Sequence, residues 1–201
     1  MSEEIRAVIL VCSLKSSNES SSSEKLATDL VSELNKSEVV SEVVRVADHN
    51  IASGVKTDMG DGDDWPKIRE KILSSQILII ATPIWLGHPS SNTQKILERL
   101  DAELSEENED GMPSMYGKVA GVAVVGNEDG AHKVCADVMQ GLIDVGFSVP
   151  AAGCTYWVGE AMGSVDYKDL KEIPKKTSET TAQMAKNLNH LARLLKDNKY
   201  S

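Results

Sequence analysis

The stretch from residue 13 to residue 23, SLKSSNESSSS, concentrates hydroxyl side chains and one lysine directly after an apolar run. A helical pattern begins at about Ser22, and the first turn of a helix has free backbone N–H groups and the positive end of the helix dipole. Hydroxyl donors and the charge of Lys15 beside such a turn form a cradle that suits an anion, typically a phosphate. The alternative is an ordinary loop in which serines cap the helix.

The segment 82–91, TPIWLGHPSS, follows another apolar run and combines a rigid backbone with a flat aromatic side chain. Pro83 restricts the backbone, Trp85 offers a planar surface, and Gly87 permits a ligand to approach the main chain closely. A loop of this kind fits the rim of a planar heteroaromatic ring. An ordinary turn beside a core aromatic side chain is the alternative.

Two further segments, 126–132 (GNEDGAH) and 155–159 (TYWVG), also follow apolar runs and carry glycine with polar or aromatic residues. His132 could donate a hydrogen bond to an oxygen of a bound molecule, and a capping or surface role is an equally good interpretation. Ordinary turns with core aromatics remain the alternative for both segments.

The elements that must position these segments alternate along the chain. Short, nearly continuous apolar runs predict buried parallel strands, and apolar residues at helical spacing predict the helices between them. The predicted strands are 5–11, 39–46, 76–81, 119–125 and 147–150, and the predicted helices are 22–34, 65–73, 90–104, 130–145 and 177–196. This alternation predicts an α/β fold, a flavodoxin-like doubly wound five-stranded parallel sheet in the order 2-1-3-4-5 with helices on both faces. Ligands bind outside the carboxyl ends of such strands, which is where the cradle and the three loops fall.

Length and charge restrict the class of protein. The chain has 201 residues, which fits one domain, 1–201, and 41% of its residues are hydrophobic, enough for a core. Its formal net charge of −10 argues against nucleic acid as a partner, because binding to the phosphate backbone needs a basic face. The sequence has no apolar run of the length that a membrane span needs, and its start, MSEEIR, is acidic where a signal peptide is basic. We therefore expect a cytoplasmic protein.

Several kinds of site are not favoured. The three cysteines, Cys12, Cys135 and Cys154, have no metal or redox spacing. The acidic loop 48–64 contains DMGDGDD but lacks the glutamate that closes a calcium-binding loop, so we predict no metal. The chain has neither G-x-G-x-x-G nor a Walker motif after the first strand. A receiver domain would need aspartates at the ends of strands 1 and 3, and the predicted strands 5–11 and 76–81 are not followed by aspartate.

Two stretches resemble a known family. TPIWLGHPSSNTQKILERLDA is similar to the flavin-binding stretch of flavodoxin-like NAD(P)H-dependent FMN reductases and quinone reductases, and GNEDGAHKVCADVMQGLIDVGFSVPAAGCTYWVG is similar to the same group. The resemblance covers the chain from Ile5 to about Gly163. It implies FMN as cofactor, NAD(P)H as co-substrate, and a homodimer or homotetramer.

The resemblance also implies roles for individual residues. The phosphate of FMN would be held by Ser13, Lys15, Ser21, Ser22 and Ser23. The isoalloxazine ring would be lined on one edge by Thr82, Pro83, Ile84, Trp85, Leu86 and Gly87, and on the other by Gly126, Asn127, Glu128, Asp129 and Gly130. The first loop departs from the family pattern, since it carries Lys15 where the family often has arginine. Lysine lacks the planar fork of arginine, so we expect weaker phosphate binding.

These inferences predict an FMN-dependent oxidoreductase that uses NAD(P)H to reduce a small-molecule electron acceptor, a quinone or a free flavin. No protein side chain is needed as a nucleophile, and His132 and Trp157 are the candidates for contact with the reactants. One rival is an electron carrier of the flavodoxin type that does not itself turn over NAD(P)H. A second rival is a protein of this fold that binds no flavin and acts through partners.

Overall fold

Six strands build the sheet, and the computed structural model describes residues 4–198 and Tyr200. The strands are β1 (Ile5–Val11), β2 (Val39–Arg45), β3 (Ile77–Trp85), β4 (His88–Pro89), β5 (Val119–Gly126) and β6 (Cys154–Val158). Five of them are parallel in the order β2-β1-β3-β5-β6, and the two-residue β4 pairs antiparallel with the end of β3. The order of the five parallel strands is the one predicted from the sequence.

Within residues 4–198, five α-helices cover the two faces of this sheet. They are α1 (Ser22–Asn35), α2 (Trp65–Leu73), α3 (Ser91–Leu100), α4 (Ala131–Asp144) and α5 (Lys175–Asp197). Alternate residues of each parallel strand point to opposite faces, so Val8 and Leu10 pack with α2, α3 and α4, whereas Ile9 and Val11 pack with α1 and α5. Burial on both faces explains why the strands read as nearly continuous apolar runs. Among the described helices, none combines the length and the apolar composition that crossing a bilayer requires.

The last strand was predicted at the wrong place. The segment 147–150 makes only an isolated bridge, in which Ser148 pairs with Val119, and the strand proper is Cys154–Val158. Pro150 cannot donate a hydrogen bond to a ladder, which limits the extent of pairing there. The 155–158 part of the predicted binding loop is therefore strand, with Thr155 and Trp157 turned inward and Tyr156 partly exposed.

The third strand is longer than predicted and ends in a hairpin. It continues to Trp85, and a two-residue turn, Leu86-Gly87, returns the chain to β4, where Trp85 pairs with His88. Both turn residues have positive φ, 53° for Leu86 and 72° for Gly87. This pattern is typical of tight hairpin turns, and it costs least for glycine because glycine has no Cβ. The hairpin carries Trp85 and Leu86 beyond the edge of the parallel sheet.

The predicted helices differ from the structure only near their ends. The helix predicted at 90–104 is α-helical over Ser91–Leu100 and continues as a 3-10 helix over Asp101–Ser105. The C-terminal helix begins at Lys175, directly after Pro174. A short 3-10 helix over Tyr167–Asp169, which the sequence did not indicate, lies between β6 and α5.

Candidate functional site

A cavity of about 470 Å³ opens at the carboxyl ends of β1, β3, β5 and β6. It collects residues from the serine-rich loop, the end of β3, the loop after β5 and the segment that follows β6. The predicted residues that line it are Ser13, Lys15, Ser21, Ser22, Ser23, Pro83, Ile84, Trp85, Leu86, Gly126, Asn127, Glu128 and Trp157. Its volume lies within the range of small-molecule sites, about 300–1,000 Å³.

One end of the cavity is the N-terminus of α1. Ser21, which precedes the helix, has an extended backbone, and its side chain makes no capping hydrogen bond. The N–H groups of the first turn are thus left without a capping hydroxyl, beside the side chain of Lys15. Ser90, by contrast, caps α3 and accepts the N–H of Thr93 at 3.2 Å. A serine therefore caps α3, whereas the start of α1 has no side-chain cap from Ser21, which is the arrangement found where helix N-termini bind anions.

A second cation stands beside this end. The backbone N–H of Lys168, in the 3-10 helix Tyr167–Asp169, donates to the hydroxyl of Ser22 at 3.3 Å, and Lys168 lines the cavity. Its ammonium group lies 2.5 Å from Asp169 and 3.7 Å from Asp166. The hydrogen bond to Asp169 raises the pKa of Lys168 above its ordinary value of 10.5, so the side chain stays charged at neutral pH.

The hairpin turn at the opposite end is held by a carboxylate. Oε1 of Glu128 accepts the backbone N–H of Leu86, and Oε2 accepts that of Gly87, each at 3.1 Å. Glu128 thus occupies these two N–H groups, which are not free to donate to a bound ring in this structure. A Cβ at Gly130 would lie 2.8 Å from the Cα of Gly87, so the two loops approach each other as closely as glycine allows.

Asn127 lines the cavity and ties the loop after β5 to the segment that follows β6. Its side-chain nitrogen donates to Asp166 at 3.0 Å and to the carbonyl of Gly163 at 3.3 Å. Its Oδ1 is buried against Gly159 and, within residues 4–198, has no hydrogen-bond partner. The side chain of Asn127 therefore shapes the cavity wall by holding Asp166 and Gly163.

The inner wall is aromatic. Trp157 is buried and lies 5.5 Å, ring centroid to ring centroid, from Tyr167. The hydroxyl of Tyr167 donates to Asp29 at 2.9 Å, and burial, together with this bond, raises the pKa of Tyr167 above its usual range. These contacts fix the indole of Trp157 as a wall of the cavity.

Some predicted residues lie outside the cavity lining. They are Thr82, Gly87, Asp129, Gly130 and His132. Thr82 is buried behind the hairpin, where its hydroxyl accepts from the backbone N–H of Ser90 at 3.2 Å and from the hydroxyl of Thr93 at 2.7 Å. His132 is exposed and pairs with Tyr156, with 2.8 Å between Nε2 and the phenol oxygen. His132 therefore does not line the cavity, and its observed partner is Tyr156.

Other lining residues were missed from the sequence. They are Leu14, Ser20, Val125, Met162, Gly163, Asp166, Tyr167 and Lys168. Leu14, Ser20 and Val125 adjoin predicted residues and could have been included by proximity. The group 162–168 follows a strand that was itself misplaced, so no sequence signal assigned it to this edge of the sheet.

Comparisons with known proteins agree with this geometry. The arrangement is a flavodoxin-like fold: a flavodoxin of Streptococcus pneumoniae superposes with a TM-score of 0.57 over 92% of this chain and 98% of its own, at 15% identity. Residues 5–163 match the family model of NADPH-dependent FMN reductases, and the chain belongs to this family.

One curated relative and one solved structure match nearly the whole chain and are themselves covered over most of their length. The 8-demethyl-8-aminoriboflavin-5'-phosphate synthase of Streptomyces davaonensis is 36% identical over 98% of this chain and 80% of the relative. A crystal structure of RosB with the bound intermediate 8-demethyl-8-formylriboflavin-5'-phosphate has a TM-score of 0.89 at 36% identity, over 98% of this chain and 82% of RosB.

A third relative is much longer than this chain. The divalent metal cation transporter MntH of Mycobacterium bovis is 33% identical over 96% of this chain, which spans only 29% of the transporter's length.

Proposed function

We propose that this protein is an FMN-dependent oxidoreductase that uses NAD(P)H to reduce a quinone or a free flavin. The observation that carries the proposal is the single cavity that joins an uncapped helix N-terminus to a slot with aromatic walls. A phosphate and a flat ring are the two ends of FMN, and they match the two ends of this cavity. The flavin would supply the redox chemistry, while the protein supplies position and electrostatics.

The residues at each end would have different tasks. The phosphate at the start of α1 would be held by the two lysines Lys15 and Lys168 and by the serines Ser13, Ser21, Ser22 and Ser23. Ile84 and Trp157 would confine the ring between the end of β3 and the inner wall. Trp85 and Leu86, 54% and 89% exposed, stand at the mouth, where a nicotinamide could reach a bound ring. His132 lies outside the cavity lining, so we assign it no proton transfer.

The first experiment is a spectrum of the purified protein followed by anaerobic addition of NADPH or NADH. Under the proposal, the protein carries a flavin absorbance that either nicotinamide bleaches in one two-electron phase. A quinone or free FMN then restores the absorbance, with ping-pong kinetics because both substrates use one site. A flavoprotein reduced by dithionite and by neither nicotinamide would support the electron-carrier alternative instead. A protein that binds no flavin would overturn the proposal.

A second candidate function rests on the relatives. The chain is 36% identical, over nearly its whole length, to the 8-demethyl-8-aminoriboflavin-5'-phosphate synthase of Streptomyces davaonensis. In this alternative, FMN is a substrate that is altered at its 8-position and then leaves. Mass spectrometry of flavin recovered after aerobic incubation separates the two: an unchanged mass favours the reductase, and a changed mass favours the flavin-modifying enzyme.

We also propose a homodimer or homotetramer. Leu86 and Met162, 89% and 96% exposed, stand on the rim of the cavity, and apolar side chains so exposed are often covered by another chain. Light scattering during size-exclusion chromatography measures the oligomeric state directly. A monomer at micromolar concentration would contradict this proposal.

A further inference from the structure

Arg45, the last residue of β2, is buried behind the serine-rich loop. Its side chain is 4% exposed, yet it does not line the cavity. Nη1 donates to the carbonyl oxygen of Lys15 at 3.0 Å, and Nη2 reaches the carbonyl oxygen of Glu19 at 3.4 Å. The guanidinium therefore binds two main-chain oxygens of the loop from the side away from the cavity.

The charge of Arg45 is paired with a carboxylate of the same chain. Nη2 lies 2.5 Å from a carboxylate oxygen of Glu24, which is in the first turn of α1. A buried guanidinium that already faces a carboxylate is poorly placed to neutralise a phosphate. The same pair ties the start of α1 to the end of β2, so Arg45 holds both the loop and the helix that follows it.

Other side chains hold further carbonyl groups of the same loop. The side-chain amide of Asn92, at the start of α3, donates to the carbonyl oxygen of Ser13 at 2.8 Å. The hydroxyl of Ser90 donates to the carbonyl oxygen of Cys12 at 2.5 Å. Together with Arg45, these donors hold the carbonyl oxygens of residues 12, 13, 15 and 19.

Because the peptide bond is planar, fixing these carbonyl groups also fixes the direction of the N–H groups that follow them. In a trans peptide, the C=O of one residue and the N–H of the next point in opposite directions. Fixing the carbonyls of residues 12, 13 and 19 from behind directs the N–H groups of Ser13, Leu14 and Ser20 the other way, and all three residues line the cavity. Successive N–H groups on one side of a loop form a concave anion site.

We propose that Arg45 is a positioning residue that gives the site its preference for a 5'-phosphorylated flavin over riboflavin, by fixing the donors of the serine-rich loop without contacting the phosphate. The inference rests on the proposed flavin function. Asn92 plays the same role at the other side of the loop. Removing either side chain should weaken the binding of the phosphate group and leave the binding of the ring unchanged.

The test compares dissociation constants for FMN and for riboflavin, measured by calorimetry in wild type, Arg45→Met, Arg45→Lys and Asn92→Ala. We expect Arg45→Met to raise the constant for FMN about 30-fold or more while the constant for riboflavin changes less than about twofold. Asn92→Ala removes one carbonyl donor without unpairing a buried charge, so it should fold normally and raise the constant for FMN by about five- to tenfold. Arg45→Lys should rescue only part of the loss, because lysine cannot bridge several acceptors as the guanidinium fork does.

Arg6→Met serves as the control, since Arg6 is exposed and pairs only with Glu4 among the described side chains. A ratio of FMN to riboflavin affinity that stays at the wild-type value in both Arg45→Met and Asn92→Ala would overturn the inference. An equal rise in the dissociation constants for FMN and for riboflavin in Asn92→Ala would also overturn the inference. A wild type that binds neither flavin would overturn the proposed function and this inference with it, whereas a wild type that binds both equally would overturn this inference alone.

Discussion

Glu128 holds Gly87 across the mouth of the cavity: a carboxylate oxygen lies 3.1 Å from the backbone nitrogen of Gly87, and the other is equally close to that of Leu86. The turn that it holds contains a leucine with φ of 53°, a conformation that costs energy for any residue with a Cβ. The carboxylate therefore compensates for backbone strain at the entrance of the site.

We expect Glu128→Ala to destabilise the turn. Two hydrogen bonds of about 1 kcal/mol net each are lost, so the melting midpoint should fall by about 3–8 °C. In the proposed reductase, the rate of reduction by nicotinamide should change more than the affinity for FMN, because the turn lies at the mouth. Calorimetry and stopped-flow absorbance measure the two effects. Glu160→Ala, at an exposed site, is the control, and a Glu128→Ala protein as stable as this control would contradict the prediction.

The start of α1 should discriminate between flavins. Replacing Ser21, Ser22 and Ser23 together with alanine removes up to three hydrogen bonds to phosphate, each worth about 1 kcal/mol or more. The dissociation constant for FMN should rise about 100-fold, and that for riboflavin should hardly change. Fluorescence titration measures both constants, with Ser32→Ala on the same helix as the control. Unchanged FMN affinity in the triple variant would remove the assignment of this loop to phosphate.

Lys168 should add long-range attraction to the same end. Because its pKa lies above 10.5, its charge is constant between pH 6 and 9, and the effect of Lys168→Met should not depend on pH in that range. We expect Lys168→Met to bind FMN about five- to tenfold more weakly than wild type. This difference in affinity should become smaller as the salt concentration rises, because salt screens charge-assisted bonds. Lys171→Met, an exposed neighbour, should behave as wild type. Equal binding by both variants would show that Asp169 neutralises Lys168 completely.

Most of the sheet could be predicted because strands buried on both faces are nearly continuous apolar runs in the sequence. Ile5–Val11 and Val119–Gly126 are almost uninterrupted apolar runs, and their positions followed directly. Cys154–Val158 was missed because threonine and tyrosine interrupt its apolar pattern, while Phe147 and Val149 nearby look more like a strand. The hairpin after β3 was read as a loop, since two turn residues with positive φ leave little trace in sequence when one of them is leucine.

The site was predictable where its residues directly follow strands. The serine loop, the hairpin and the loop after β5 all fall at the cavity because parallel strands share one carboxyl edge. Lys168 and Tyr167 depend on how the chain crosses from β6 to α5, and only the folded structure shows that route. The unsuspected burial of Arg45 follows from a partner, Glu24, that lies 21 residues earlier in the chain.

The acidic loop before α2 gives a prediction about pH. Burial alone would raise the pKa of the Asp63 carboxyl, but the N–H groups of Met59, Trp65 and Ala52 and the Arg99 guanidinium lower it below its ordinary value of 3.8. Asp63 and Arg99 are 2.8 Å apart, and both side chains are buried. Asp63 thus organises the main chain of this loop, whereas Asp58 and Asp61 are exposed to solvent.

Asp63→Asn should therefore be less stable than wild type at neutral pH, by about 3–5 kcal/mol, because it leaves Arg99 buried without its partner. A carboxyl whose pKa is lower in the folded state stabilises the protein above its unfolded pKa of 3.8, and this contribution is lost as the pH falls through the folded value. The difference between the two proteins should then narrow below about pH 4. Urea titrations at pH 7, 5 and 3 measure it, and a constant difference would contradict the ionic role.

The hydrogen bond from Lys168 to Ser22 joins residues 146 positions apart, at the end of the cavity where α1 begins. Synthesis on the ribosome proceeds from the N-terminus, so the serine loop exists long before its partner segment has been made. A nascent chain consequently has no complete cavity until residue 168 has been translated. Under the proposed function, a chain truncated before that point would lack part of the receptacle and would not compete with the folded protein for flavin.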